Sequence, residues 1–247
     1  MMSFDGTVTL VLGATSGIGG ALARRIRAAG GAVIPAGRNR EKLAAIAAEL
    51  GEAGIEFDAA SFDSVESAVQ QAVSRYGRLD GVAVCSGSLL LKPAHLTTEA
   101  EYRATMAASI DAAFAAVRAA AKAMMNTGGS MVLVSSAAAR IGLANHEAIA
   151  AAKGAIIGLA LSAAASYAAR GIRVNCVAPG LTETPLTARI TGNETSRKAS
   201  EAMHALGRIG RPEDVASAMA WLLDPENSWV TGQVIGVDGG LANVRPR

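Results

Sequence analysis

GATSGIGG, Gly13–Gly20, decides how this chain of 247 residues is read. Its spacing is G-x-x-x-G-x-G. The apolar run TVTLVLG (7–13) leads into it, and a helix-like stretch near 17–29 leads out. Glycines at these places let a strand turn sharply into a helix and let backbone N–H groups approach a pyrophosphate. The helix N-terminus then supplies partial positive charge. A strand before and a helix after are the context such a motif demands. The stretch points to a dinucleotide held along Gly13, Thr15, Ser16, Gly17, Ile18 and Gly19, with a merely glycine-rich turn as the plain alternative.

Outward from this turn, short runs rich in Val, Ile and Leu recur: AVIPAG (32–37), GVAVCSG (81–87), SMVLVSS (130–136), RVNCVAP (173–179) and QVIGVDGG (233–240). Helix-like segments near 40–51, 64–76, 99–127, 147–169 and 213–223 separate them. Strands apolar on both faces and alternating with helices argue for a parallel sheet covered on both sides. The expected fold is α/β, a single-domain doubly wound parallel sheet of Rossmann type over residues 1–247. Residues 186–206 (LTARITGNETSRKASEAMHAL) differ: they are polar, helix-compatible and interrupted at Thr191-Gly192-Asn193. A lid over a site and a plain surface loop both fit such a segment.

Composition narrows the function. Apolar residues make up 51% and aromatics 4%, so the core is aliphatic. The net charge of +2 comes without a long basic run, which speaks against nucleic acid. Cys85 and Cys176 sit in apolar runs and read as small core residues of a reducing cytoplasm. The longest uncharged span, 154–169, falls short of a membrane crossing, and no metal-ligand spacing stands out. The expectation is a cytoplasmic protein acting on a small molecule.

At the end of the second strand-like run stand Gly37, Arg38 and Asn39, with Arg40 behind. A carboxylate there would accept from an adenosine ribose and repel a 2′-phosphate. A guanidinium is a permanent planar fork suited to phosphate. The expected cofactor is therefore NADP(H) in preference to NAD(H), with Arg38 as the reader; a solvated loop charge is the alternative.

The chain resembles the short-chain dehydrogenase/reductases of about 250 residues, nearly end to end. GATSGIG resembles their glycine motif, with Leu12 in place of the preceding threonine. FDAASFDSVESAV is similar to their Asp-Val segment and puts Asp58 near the adenine and Ala59 at the next backbone contact. RYGRLDGVAVCSG matches their stretch ending Asn-Asn-Ala-Gly, here Val84-Cys85-Ser86-Gly87, with only Gly87 kept. GIRVNCVAPGLTET matches their Pro-Gly segment, including Asn175, Pro179, Gly180 and the nicotinamide-side Thr184. GRIGRPEDVASAMAWLL and TGQVIGVDGG resemble their C-terminal signature.

The resemblance implies hydride transfer between nicotinamide and an alcohol or carbonyl carbon. A tyrosine moves the proton, a lysine four residues on binds the nicotinamide ribose, a serine holds the substrate oxygen, and an asparagine holds a relay water. The lysine falls on Lys153 and the serine on Ser136. The tyrosine position falls on Ile149 and the asparagine position on Ser109. No other alignment restores the tyrosine, and Tyr167 lies far down the same helix.

Isoleucine has nothing to donate, and general acid–base work is worth about 100- to 10,000-fold. Replacement donors are His146, one turn before Ile149, then Glu147, Cys85 and Ser136. Asp111 sits two residues past Ser109, off its helical face, and Arg140 is a candidate holder of an anionic substrate. The readings are an NADP(H)-dependent oxidoreductase with a non-standard proton donor, a catalytically silent NADP(H)-binding sensor or partner subunit, and a protein using the cleft for non-redox chemistry. Alanine-rich helices with few charges, 99–127 and 147–169, need covering, so a homo-oligomer is expected, a dimer or a tetramer.

Overall fold

The computed structural model describes residues 2–245. VTLVL, wholly buried, forms β1 (Val8–Leu12) in the middle of the sheet. The chain then alternates through α1 (Gly17–Ala28), β2 (Ala32–Gly37), α2 (Arg40–Leu50), β3 (Ile55–Glu56), α3 (Phe62–Tyr76) and β4 (Gly81–Val84). It continues through α4 (Glu99–Met106), α5 (Ala112–Met124), β5 (Gly129–Val134), α6 (Glu147–Tyr167) and β6 (Ile172–Pro179). α7 (Ala188–Thr191), α8 (Glu194–Met203), α9 (Pro212–Leu223) and β7 (Val234–Val237) follow.

All seven strands are parallel, in the order β3-β2-β1-β4-β5-β6-β7. This is the expected doubly wound sheet. The chain builds outward from β1 to β3, then crosses back and builds from β4 to β7. Strand order therefore reverses between β1 and β4, and the crevice beyond their carboxyl ends is where such sheets receive ligands.

Two apolar layers cover the sheet. Val65, Val69, Ala116, Ala120, Ile156 and Ala160 bring α3, α5 and α6 onto one face. Leu22, Ile26, Leu43, Ile46, Val215 and Met219 bring α1, α2 and α9 onto the other. Small alanines let the helices lie close to the strands, which accounts for a core so poor in aromatics.

Two expectations need correcting. β3 was absent from the strand-like runs because only two residues of it pair with β2. The helix expected over 99–127 is α4, a π-helical turn at Ala107–Asp111, and α5. Glu99–Met124 and Glu147–Arg170 are long and apolar enough to cross a membrane, yet each has about half of its apolar stretch buried inside this fold. In the 186–206 segment, α7 ends at Gly192, and Asn193 caps α8 by accepting from Ser196 N at 2.9 Å.

Candidate functional site

The turn from β1 into α1 forms the floor of the site. Gly13 has φ +95°, and a Cβ there would lie 2.8 Å from the Ser86 nitrogen. A Cβ at Gly19 would run into the Gly13 carbonyl, and one at Gly17 would lie 2.8 Å from Thr184 Cγ2. Ser16 caps α1 by accepting from Gly19 N at 3.1 Å. The first turn of α1 carries no acidic residue, so nothing there competes with an anion for the exposed N–H groups and the helix dipole.

From this floor a cleft of about 460 Å³ runs across the carboxyl ends of β1, β2, β4, β5 and β6. At one end it is lined by Thr15, Ser16, Ile18, Arg38, Asp58 and Ala59. Arg38 is exposed, and among the described residues no carboxylate pairs with it. Arg40 is turned away, onto Glu56 at 2.7 Å. In the middle lie Gly13, Ser86 and Gly87, and at the far end Ser136, Lys153, Pro179, Gly180 and Thr184. The rest of this end mixes apolar side chains, Leu89, Ala108, Val134, Ile149, Pro185 and Leu186, with the uncharged polar Ser88, Ser135, Thr182 and Thr187.

α6 positions two residues of this wall one turn apart. Ile149 is 3% exposed and Lys153 7%. Lys153 Nζ donates to the Val134 carbonyl at 2.9 Å, and its own backbone carbonyl accepts from Ser135 Oγ at 2.8 Å. The helix is thus pinned to the end of β5. Burial pulls the ammonium down from 10.5 to about 8. A side chain at Gly87 would crowd that ammonium, its Cβ lying 3.1 Å from Nζ. Ser136 Oγ accepts from Ala138 N at 3.1 Å, which leaves its proton free to donate.

Several sequence expectations fall elsewhere. Asn39 does not line the cleft; it caps α2, accepting from Lys42 N at 2.9 Å. His146 lies outside the lining, with Nδ1 held 2.8 Å from the Ala144 carbonyl within its own turn. Glu147 is exposed and faces a separate hollow beside Tyr102. Arg140 points toward β7, where its guanidinium fills the space a side chain at Gly236 would need. Cys85 does line the cleft, but burial pushes its thiol up to about 12, so it is neither a thiolate nor a ready acid near neutrality.

Ser109 is buried in the π-helical turn, 3.5 Å from Ser88 Oγ, whereas Asp111 is exposed. A π-turn is uncommon and often marks a functional site. His204 went unnoticed in the sequence: it is buried, accepts at Nε2 from Leu181 N at 3.2 Å and lies 2.6 Å from the Ser200 carbonyl through Nδ1. Ser200 is one turn back on α8, but Leu181 lies 23 residues away and reaches the ring only in the fold, so no local pattern marks it.

A family model described as enoyl-(acyl carrier protein) reductase matches residues 13–242. The chain is 36% identical over 249 residues to cis-4-hydroxycyclohexanecarboxylate dehydrogenase of Sinomonas cyclohexanicum, covering 98% of this chain and 99% of that one. The chain belongs to the short-chain dehydrogenase/reductase family. A 3-oxoacyl-(acyl-carrier-protein) reductase of Thermotoga maritima is 33% identical, covering 97% and 99% of the two chains. The solved structure of a short-chain type dehydrogenase/reductase from Mycobacterium ulcerans superposes with a TM-score of 0.92 at 35% identity, over 99% of this chain and 93% of that one.

Nicotinamide dinucleotides serve this family of oxidoreductases. The residues present fit such a group: the first turn of α1 carries no acidic residue, Thr15, Ser16 and Arg38 line the cleft beside it, and among the described residues no carboxylate pairs with Arg38.

Proposed function

We propose that this short-chain dehydrogenase/reductase is an NADP(H)-dependent enzyme acting on a carbonyl or alcohol carbon, with a proton route that uses no phenol at position 149. The observation that carries the reading is Lys153, an ammonium buried at the cleft wall with a carbonyl, not a carboxylate, as its partner. Burying a lone charge is costly, and a cofactor-binding and proton-holding role gives that cost a purpose. The bound dinucleotide supplies or accepts the hydride.

Each protein group then has a task. The α1 N-terminus, Thr15 and Ser16 face the phosphates, and Arg38 meets the 2′-phosphate. Ser136 Oγ donates to the substrate oxygen. The ionisable groups lining the cleft are Arg38, Asp58, Cys85 and Lys153. Of the two with displaced values, only Lys153, at about 8, can exchange a proton near neutral pH. Lys153 Nζ is therefore the proton source we assign. Apart from Lys153 the lining of the far end is uncharged, which favours a substrate with little charge near its reacting carbon. Leu186 and Thr187 line the cleft from the 186–206 segment, which supports reading that segment as a lid.

Phe114 and Leu161 are about half exposed on the outer faces of α5 and α6. Apolar faces of this kind support self-association of the chain, as dimer or tetramer.

The test is NADPH oxidation with open-chain and cyclic ketones by the parent chain and by Ile149→Tyr. The expected result is slow turnover in the parent, declining above about pH 8, and a gain of about 100- to 10,000-fold in the variant. A folded Ile149→Tyr chain that binds NADPH yet turns over no ketone would count against the reading.

A further inference from the structure

We propose that the chain has a second activity: the Lys153 amine adds to an aldehyde or ketone at the far end of the cleft and condenses with it to an imine. The step uses no dinucleotide and stands apart from hydride transfer. Nζ lies between two residues of the cleft lining. On one side it donates to the Val134 carbonyl at 2.9 Å, and on the other it faces Gly87, where a Cβ would come within 3.1 Å. No side chain at Gly87 covers it. Ile149, one turn earlier on α6, adds an apolar side chain to the same lining and no hydrogen-bonding group.

The surroundings favour the neutral amine. An ammonium carries three donors, and among the described residues the Val134 carbonyl is the one acceptor Nζ finds. No carboxylate pairs with it, whereas Lys92 and Lys198 pair with Glu101 and Glu194. The titratable groups beside it are the thiols of Cys85 and Cys176, both kept protonated near neutrality by burial. A neutral amine places one N–H on Val134 and keeps a lone pair, which is the nucleophile. Burial draws the group down to about 8, so roughly a tenth of it is neutral at pH 7, against under about a thousandth for a lysine at its ordinary value. Desolvation in a pocket is one way a lysine is made nucleophilic toward carbonyls. The step balances without oxidant or reductant. The Nζ lone pair forms the N–C bond while the carbonyl π pair moves onto oxygen, which takes a proton as the nitrogen gives one up. A second proton on that oxygen lets it leave as water while the C=N bond forms. Ser136 Oγ, whose proton is free, donates to the oxygen as it gains charge.

The experiment incubates the parent chain, free of dinucleotide, with propanal and sodium cyanoborohydride, which reduces imines to stable secondary amines. Mass spectrometry of the intact chain and of its peptides reads how much is fixed and where. The expected result is labelling of Lys153 at least about 10-fold faster at pH 7 than of Lys42, Lys92, Lys122 or Lys198. In urea that preference disappears, because the fold supplies the desolvation. Lys153→Arg keeps a cation and removes the nucleophile, so the fast label is lost while the slow ones stay. Labelling of Lys153 no faster than of the other lysines, or a preference that survives unfolding, would overturn the proposal. Either failure leaves the reductase reading standing, because that reading is decided by NADPH oxidation and needs no imine.

Discussion

The Lys153 ammonium is paired with the Val134 carbonyl, at 2.9 Å, and lies 7% exposed inside the fold. One carbonyl does not repay the desolvation of a full charge, and the displacement from 10.5 to about 8 measures the imbalance. It corresponds to roughly 3 kcal/mol. In the unliganded chain at pH 7, Lys153→Met is expected to be more stable by about 1–3 kcal/mol in urea unfolding. The sign follows from proton uptake: between pH 8 and 10.5 the unfolded lysine is protonated and the folded one is not, so the parent gains stability as pH rises through that window. The gap between parent and variant therefore closes toward pH 10.5. A variant less stable than the parent at pH 7 would show that the bond to Val134 outweighs the burial.

Gly13 and Gly17 are expected to respond differently to alanine. At Gly13 both the positive φ and the backbone of Ser86 oppose a Cβ, so Gly13→Ala costs more than about 1 kcal/mol of stability. At Gly17 the obstacle is a side chain, Thr184, with its Cγ2 at 2.8 Å and its Cβ at 3.1 Å, which must shift by a few tenths of an ångström as well as rotate. Gly17→Ala is expected to lose less stability than Gly13→Ala but to bind NADPH more weakly, because Thr184 is displaced from the cleft. Unfolding curves and titrations on the two variants check this; equal stability losses would contradict it.

His204 holds α8 to the segment after β6 through Leu181 and Ser200. Nδ1 must carry the proton, since Nε2 accepts. His204→Ala leaves the Leu181 N–H and the Ser200 carbonyl without these partners and is expected to cost about 1–3 kcal/mol. Hydrogen exchange should speed up across 181–203 with little change in the central strands. Faster exchange spread evenly over the chain would contradict this local role.

How much of this was legible follows from the range of each signal. The strand–turn–helix at Gly13–Gly20 is local and marked the phosphate side, and the apolar runs alternating with helices marked the parallel sheet; the strand order and its reversal between β1 and β4 came only with the fold. The break at Thr191-Gly192-Asn193 is local as well, since glycine ends one helix and asparagine caps the next. The π-turn at Ala107–Asp111 was not legible, because an alanine-rich stretch without Gly or Pro reads as continuous helix. β3 was too short to show a pattern. His146 was a reasonable donor by helical spacing alone, but its ring is turned onto Ala144. Asn39 was placed beside Arg38 by sequence and proved to be a cap.

The central claim is an NADP(H) site retained around Lys153 and read by Arg38. The most direct measurement is a fluorescence titration of the parent chain and Arg38→Ala with NADPH and NADH. The account predicts that the parent binds NADPH more tightly than NADH, and that Arg38→Ala loses about 10- to 100-fold for NADPH alone, as expected for a charged hydrogen bond. Equal affinities for the two cofactors, or binding of neither, would contradict it.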